Sequence, residues 1–340
     1  MSQLLIAHAE NHKLTLYNAS DLHAIREFEL PGRIAVLGTS SDGRYGFAIH
    51  RDDDCISIIE SRGEVVRAIA ASGKQPTHFH AHAGYCLIFN DGSGSVMIFD
   101  ETDIPRHINQ VVRQPDHGSA LKIGDYLIIG YLRGGCVEVY RWGDAEPAQT
   151  FDCCPMLHGA AQVGDMALFG CSDGVLLLKP DGDNFVAKKL PNPPDTPERV
   201  RVGLLTTHEA SGFAAGNFGQ GLALIDPAEE TMRVLPLSDY PLKFSFDTSG
   251  EYLHVLTSDG LLQRQSLRSD EHKTVQVVQP VAAPKGPDKK ARPTFAAYGD
   301  WLYITNPEQQ SVLRVSANDL IEDRHASLSY RPAAVAYLKG

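Results

Sequence analysis

The sequence predicts an all-β fold, a single β-propeller of eight blades with four strands each. A pattern of short apolar strands separated by glycine turns recurs through the chain at a spacing of about 40 residues. No stretch shows the periodicity of a long helix. Short strands in regular series, with one unit divided between the two ends of the chain, are typical of a propeller. Seven blades is the alternative count.

Each copy of the repeat begins near a proline or arginine and continues as a first strand, a Gly or Gly-Asp turn, an apolar second strand, another glycine turn and a third strand. The complete copies span residues 32 to 60, 76 to 100, 115 to 140, 155 to 179, 200 to 226, 240 to 266 and 292 to 316.

The last copy is divided between the two termini. Residues 331 to 337 form a first strand, and residues 4 to 9 and 13 to 17 supply the strands that follow it. N- and C-terminal strands are therefore expected to close the last blade. Residues 281 to 292, rich in Ala, Pro and Lys, are expected to form an exposed loop, and residues 1 to 340 one domain.

Composition excludes several classes of protein. The chain has 340 residues, 43% of them hydrophobic, and a formal net charge of -11. An acidic chain whose only basic cluster lies at residues 285 to 292 is not expected to bind nucleic acid. No apolar run approaches the roughly 20 residues that span a bilayer, so membrane insertion is not expected. The first residues lack the pattern of a signal peptide, although a leader removed earlier is compatible with them.

Histidines at corresponding positions of three consecutive copies predict a metal site. His78 and His117 each follow the opening proline of their copies by two residues, and His158 follows Pro155 by three. Inner strands of neighbouring blades meet around the axis of a propeller, and imidazole is a common ligand of zinc and copper. His80 faces the same way as His78 at a distance of about 6.5 to 7 Å and is the expected fourth ligand.

Other residues have secondary or alternative roles at this site. Asp116 or His82 is a substitute ligand or an outer-sphere partner, and Asp91 is an alternative carboxylate for orienting an imidazole. His208 ends an inner strand and is expected to lie too deep. The remaining histidines share no repeat position and are treated as hydrogen-bonded structural residues: His8, His12, His23, His50, His107, His254, His272 and His325.

Motifs of other chemistries are weak. No Gly-x-Ser-x-Gly elbow is present, and the glycines of residues 216 to 221 connect strands instead of preceding a helix. The six cysteines contain no Cys-x-x-Cys pair, and scattered cysteines are more often buried hydrophobic residues than bridges. Cys154 and Cys171 are the pair to test.

Several motifs resemble those of AztD-type zinc metallochaperones, which serve bacterial zinc-uptake ABC transporters. They are the strings at residues 77 to 82, 88 to 92, 116 to 118, 154 to 159, 169 to 175 and 216 to 219, so the specific resemblance covers about residues 76 to 226. A mobile His- and Asp-rich segment near the N-terminus of the family is represented here only by His8 and His12.

The resemblance implies a periplasmic β-propeller that binds Zn²⁺ and passes it to the solute-binding protein of a zinc ABC transporter. The family's histidine motifs fall on His78, His80, His117 and His158, and the resemblance favours a Cys154–Cys171 disulfide. A monomer that is not an enzyme is expected. Because neutral imidazole is the ligand and its ordinary pKa is about 6.5, zinc affinity is expected to fall below roughly pH 6.

Two other functions remain open. A metal-dependent hydrolase or a copper oxidoreductase would use the same histidines with one open metal position for water or substrate. A metal-free interaction scaffold is the default function of propellers, because a fold does not dictate a function. Affinity, metal selectivity, the fourth ligand and the partner's docking surface are not determined by the sequence.

Overall fold

The structure is a computed structural model that describes residues 2–61, 66–284 and 290–340. In these residues the regular elements are strands, apart from one short 3-10 helix at Arg51–Asp53. The strands form eight four-stranded sheets, and every pairing within a sheet is antiparallel. The eight-bladed prediction is therefore confirmed, and the alternative of seven blades is excluded.

The chain divides into two compact units, each with four of these sheets. The prediction of one domain over residues 1 to 340 stays a prediction. The first unit contains Met1–Ala70 and Ser238–Gly340. Its strands are β1 (Gln3–His8), β2 (Lys13–Asn18), β3 (Ala24–Glu29), β4 (Val36–Thr39), β5 (Tyr45–His50), β6 (Cys55–Glu60), β7 (Val66–Ala70), β24 (Pro241–Phe246), β25 (Tyr252–Thr257), β26 (Leu261–Ser266), β27 (His272–Gln276), β28 (Thr294–Tyr298), β29 (Trp301–Asn306), β30 (Ser311–Ser316), β31 (Glu322–Ser327) and β32 (Pro332–Leu338).

The second unit is Ala71–Leu237. Its strands are β8 (Pro76–His82), β9 (Tyr85–Asn90), β10 (Ser95–Asp100), β11 (His107–Val111), β12 (Gly118–Ile123), β13 (Tyr126–Tyr131), β14 (Cys136–Arg141), β15 (Gln149–Phe151), β16 (Ala160–Val163), β17 (Met166–Cys171), β18 (Gly174–Asp181), β19 (Asn184–Pro191), β20 (Leu205–Thr207), β21 (Ala214–Phe218), β22 (Gly221–Asp226) and β23 (Thr231–Pro236). Each sheet follows chain order, so β8, β12, β16 and β20 are first strands at one edge.

The two chain ends share a sheet in the first unit. Strand β32 pairs antiparallel with β1, from Gln3 opposite Leu338 to His8 opposite Pro332, and the order of the sheet is β3-β2-β1-β32. This arrangement confirms that N- and C-terminal strands together complete the last blade.

Tight turns connect the first and second strands. Gly124 and Gly164 occupy equivalent turns with φ of +53° and +57°, and a Cβ at either glycine would meet nothing within 4 Å. The left-handed backbone, and not a lack of space, therefore favours glycine at these positions.

Buried apolar faces hold neighbouring sheets together. In the second unit one core cluster joins Leu121 and Ile128 of one sheet to Phe169 and Leu176 of the next. The first strands β8, β12, β16 and β20 contact one another in sequence along this unit. Packing of the sheets thus brings the starts of successive first strands close together, which is the arrangement that a shared site requires.

The predicted loop at residues 281 to 292 is described only in part. Residues 281–284 and 290–292 carry no strand, which agrees with the prediction, and the remainder lies outside the described residues. Over the part of the chain that the structure describes, no helix has the length and apolar character needed to cross a membrane.

Candidate metal centre

Three histidines of the second unit converge on one point. Each of His78, His117 and His158 offers a ligand atom, and these atoms all lie within 4.8 Å of one another. The ring centroids of His78 and His117 are 4.5 Å apart. The ring centroid of His158 lies 5.6 Å from that of His78 and 5.2 Å from that of His117. All three side chains are half-buried. The predicted convergence of imidazoles from consecutive blades is therefore present.

The three histidines occupy different positions relative to their strands. His78 lies within β8 at a register shift, because Pro76 pairs with Asn90 and Phe79 with Ile88, which leaves Thr77 and His78 together opposite one residue. Such a bulge redirects a side chain. His117 and His158 precede β12 and β16 instead of lying in them. Counting from the prolines predicts that these three residues converge, but it does not reveal their different registers.

Hydrogen bonds fix the orientation of two of the rings. Nδ1 of His117 lies 2.7 Å from Oδ2 of the buried Asp91, and Nδ1 of His158 lies 2.8 Å from the carbonyl oxygen of Gly203. Because these oxygens accept hydrogen bonds, each Nδ1 is assigned the proton and each Nε2 keeps its lone pair. Both rings therefore present a ligand atom.

The third ring, that of His78, is oriented by a hydrogen bond to His117. Nε2 of His78 lies 2.8 Å from Nε2 of His117. Since the latter nitrogen carries the lone pair, His78 donates this hydrogen bond through its own Nε2. A metal ion bound to both nitrogens would take the place of that proton, and the neutral ring of His78 would then carry its proton on Nδ1.

Burial keeps two of the three imidazoles neutral. It lowers the pKa of His78 to about 3, with further lowering from His117, His80 and His158. Burial is also the largest cause of the lowered pKa of His158. Neutral rings have lone pairs available for a metal ion. Protons therefore compete for the nitrogens of these two rings less than they do for an ordinary imidazole, which would favour retention of a bound ion at a pH below the value of about 6 predicted from the ordinary pKa.

His80, the predicted fourth ligand, is not brought into this group. Its Nε2 lies 2.7 Å from the hydroxyl oxygen of Ser119, and burial lowers its pKa to about 4. His82 lies further along β8, opposite Tyr85. Among the described residues, the group able to hold a metal ion consists of the other three histidines.

The carboxylate of Asp116 has a backbone role. It accepts hydrogen bonds from the backbone N–H groups of His117 at 2.7 Å, Arg133 at 3.1 Å and Gly134 at 3.0 Å. Of the two carboxylates that the sequence left open, Asp91 orients the ring, and Asp116 holds the loop that carries it. His208 lies outside the group, where its Nδ1 faces the backbone N–H of Ala210 at 3.3 Å.

The carbonyl group of Gly203 is a contributor that sequence analysis missed. A backbone oxygen carries no residue signature, but the glycines around it are an indirect signal. Gly159 has a φ of +79°, and a Cβ there would lie 2.1 Å from the oxygen of Gly203. Only a glycine lets these two segments approach so closely, and this approach places the carbonyl beside His158.

A disulfide braces the segment that carries His158. Cys154 and Cys171 are bridged, with their Cα atoms 5.0 Å apart, as the family resemblance favours. Cys171 ends β17, so the bridge ties the chain just before His158 to the second strand of the same sheet. The other buried cysteines, Cys86 and Cys136, fit the expectation of small core residues.

Together the three rings form a candidate metal site with one open corner. Three nitrogen donors would supply three corners of the tetrahedron that Zn²⁺ prefers and would leave the fourth for a water molecule or an incoming ligand. The Asp91–His117 pair is the kind of carboxylate–imidazole contact that fixes the tautomer of a metal ligand.

Comparison with known proteins identifies relatives of the same fold. No family model matches the chain. The zinc chaperone AztD of Citrobacter koseri is 25% identical over 327 residues, which cover 92% of this chain and 76% of that protein. Two structures of Citrobacter koseri AztD, one of them the apo form, cover 100% of this chain and 98% of theirs at 22% identity, with TM-scores of 0.88 and 0.89.

A more distant structure shares the fold alone. The dihydro-heme d1 dehydrogenase NirN, in complex with DHE, is 12% identical and covers 98% of this chain and 74% of its own, with a TM-score of 0.71. The predicted fold class, an all-β propeller of eight four-stranded blades, agrees with these likenesses. The resemblance to AztD-type proteins that the histidine motifs predict is therefore confirmed, and it extends over 92% of the chain.

Proposed function

We propose that this protein is a zinc chaperone that holds Zn²⁺ through His78, His117 and His158 and passes it by ligand exchange to the solute-binding protein of a zinc ABC transporter. The observation that carries the proposal is the convergence of three imidazole nitrogens within 4.8 Å of one another. The relative at 25% identity is named a zinc chaperone, which supports the choice of metal and of a carrier over an enzyme.

Accessibility of the site suits a carrier. The side chain of His117 is 27% exposed, while its partner Asp91 is 6% exposed. An acceptor ligand can therefore approach the open corner and replace the histidines one at a time, and the ion need not pass through bulk water. The buried carboxylate keeps the ring of His117 oriented during this exchange.

The role of His80 as fourth ligand stays a prediction. Its Nε2 is engaged by Ser119, so coordination would require that contact to break. With three protein ligands the open corner would be filled by water at rest and by the acceptor's ligand during transfer. The periplasmic location and the transporter partner rest on the family resemblance, and the monomeric state stays a prediction.

An open coordination position is also a feature of hydrolytic zinc enzymes. Catalytic zinc sites use three protein ligands and one water, together with a carboxylate base. Here both nearby carboxylates are committed, Asp91 to the ring of His117 and Asp116 to backbone N–H groups. These contacts favour the carrier over the hydrolase.

Zinc titration against a competing chelator tests the proposal. The wild-type protein is expected to bind one Zn²⁺, and His78→Ala, His117→Ala and His158→Ala are each expected to lose more than about 100-fold in affinity, since even outer partners of a metal ligand contribute 10 to 100-fold. His208→Ala is the matched control, because this histidine belongs to the same unit and lies outside the group.

Other outcomes distinguish the alternatives. Unchanged zinc affinity in the three variants would refute the site, and absence of zinc binding by the wild type would favour the scaffold. Transfer is tested by mixing the loaded protein with the solute-binding protein: a transfer rate that rises with acceptor concentration indicates ligand exchange, and a constant rate equal to spontaneous release contradicts it. His80→Ala measures whether a fourth histidine contributes.

A further inference from the structure

A cavity in the first unit contains a lysine without a counter-charge. The cavity has a volume of about 320 Å³ and is lined by first strands of all four sheets of that unit, β4, β24, β28 and β32. Lys243 of β24 projects into it. Among the described residues, no hydrogen bond or ion pair is made by its ammonium group, and burial lowers its pKa. Lys243 is half-buried. A partly desolvated ammonium group without a partner costs stability, so its presence requires a reason.

The nearby carboxylate does not neutralise this lysine. Asp42 also lines the cavity, but its Oδ1 accepts from the Ser40 hydroxyl at 2.7 Å and from the backbone N–H of Arg44 at 2.9 Å. Its Oδ2 is paired with Nε of Arg44 at 2.5 Å. The cavity therefore keeps an uncompensated positive charge.

The position of Lys243 in its strand matches that of His78. In β24, Pro241 pairs with Thr257 and Lys243 with Leu256, so the register shifts directly after the proline, as it does after Pro76 in β8. Both residues follow an opening proline by two positions. The bulge that turns His78 toward the metal group thus has a counterpart that turns a cation into the cavity.

The walls of the cavity add an apolar surface to this charge. Phe295 and Tyr337 line it, and Tyr337 stacks on Tyr298 with ring centroids 3.8 Å apart. Thr39 and Ser245 also line it. A half-buried cation, a few polar residues and an aromatic wall in a volume near 300 Å³ suit a small organic ligand.

We propose that this cavity binds a small organic carboxylate, with the carboxylate on the ammonium group of Lys243 and the apolar body against the aromatic wall. The ligand would supply the counter-charge that the protein lacks. This site uses none of the histidines of the proposed zinc site, so the two proposals stand or fall separately.

Calorimetric titration with benzoate tests this site. We expect saturable binding to the wild type, a dissociation constant at least about tenfold higher for Lys243→Met, and no change for Lys339→Met, the matched control that lines the same cavity but is exposed. Inorganic phosphate, which lacks an apolar body, is expected to bind more weakly than benzoate.

Stability and spectroscopy provide independent checks. Without added anion, Lys243→Met is expected to melt no lower than the wild type, because it loses an unpaired cation. If Lys243→Met does not fold, Lys243→Gln takes its place. In addition, the NMR resonance of Lys243 in reductively ¹³C-methylated wild-type protein should shift when benzoate is added. Absence of benzoate binding, binding that Lys243→Met leaves unchanged, or phosphate binding as tight as benzoate would each overturn the proposal.

Discussion

Buried histidines of the first unit and clustered histidines of the second use the same side chain in opposite ways. His50 and His254 of the first unit are fully buried, and each ring has a partner of its own: Ser57 at 2.9 Å for His50, and the carbonyl oxygen of Ala317 at 2.7 Å for His254. In the second unit, His78, His117 and His158 are half-buried and turned toward one another. Each buried histidine of the first unit has its own hydrogen-bond partner, which gives it a structural role. The three histidines of the second unit converge, which makes them a candidate metal site.

Partner choice, and not depth of burial, explains this difference. The outer nitrogens of His117 and His158 are held by Asp91 and Gly203, so their inner nitrogens remain available. At His50 both nitrogens are occupied, the second by the carbonyl oxygen of Arg33 at 3.3 Å. A histidine is suited to bind a metal ion when one ring nitrogen is hydrogen-bonded and the other faces further histidines.

Loss of the disulfide, which lies in the same unit as the histidine cluster, should have the largest effect on stability. A Cys154→Ala/Cys171→Ala variant is expected to lose about 3 kcal/mol of unfolding free energy, because the bridge closes a loop with a sequence separation of 17. Denaturant titration measures the loss. Cys153→Ala, which removes the neighbouring exposed thiol, should leave the midpoint unchanged. A double variant as stable as the wild type would mean that the bridge does not brace the segment of His158.

Alanine replacement separates structural from clustered histidines. His50→Ala should lower the unfolding free energy by about 2 kcal/mol, because it leaves a cavity and removes the partner of the buried Ser57 hydroxyl. His78→Ala should cost less than about 1 kcal/mol in the metal-free protein while removing zinc binding. Equal losses of stability from the two replacements would break the distinction.

The orienting carboxylate provides a finer test. Asp91→Asn should weaken zinc binding about tenfold, or about 1.4 kcal/mol, because a neutral amide polarises the ring of His117 less than a carboxylate does. Asp116→Asn should change affinity less, since that carboxylate contacts backbone N–H groups only. Chelator competition compares the two variants, and a larger effect at Asp116 would reverse the assignment of roles.

Acid should destabilise the protein through its buried histidines. Burial lowers the pKa of His50 and His254 in the folded state, whereas the unfolded chain takes up protons near the ordinary value of about 6.5. The unfolded state therefore binds more protons below that pH, and stability present above it is lost as the pH falls. Each residue should contribute up to about 1 kcal/mol between pH 7 and 5.5, measured as a fall in denaturation midpoint that His254→Asn reduces.

One relation among the structural histidines was missed. His8 and His50 are predicted to share no repeat position, yet each ends the second strand of its sheet and bonds to a hydroxyl seven residues later, Thr15 for His8 and Ser57 for His50. The spacing was visible in the sequence.

Much of the site could be predicted because repeat position predicts proximity in a propeller. His78, His117 and His158 were identified from their places after prolines, and the structure brings their rings together. His80 followed from the alternation of an ideal strand. Alternation requires an unbroken pleat, and the register shift after Pro76 gives His78 and His80 different surroundings.

The sequence alone determined the number of blades, the closure of the last sheet by both termini and the residue types of the candidate site, because turn glycines, apolar strands and their spacing are local properties of the chain. The tertiary structure decided which nitrogens face one another, which carboxylate orients them and which carbonyl group holds His158. These choices depend on strand register and on contacts between distant segments, such as His158 with Gly203. Local patterns do not encode them, since a shift of a single residue changes every partner.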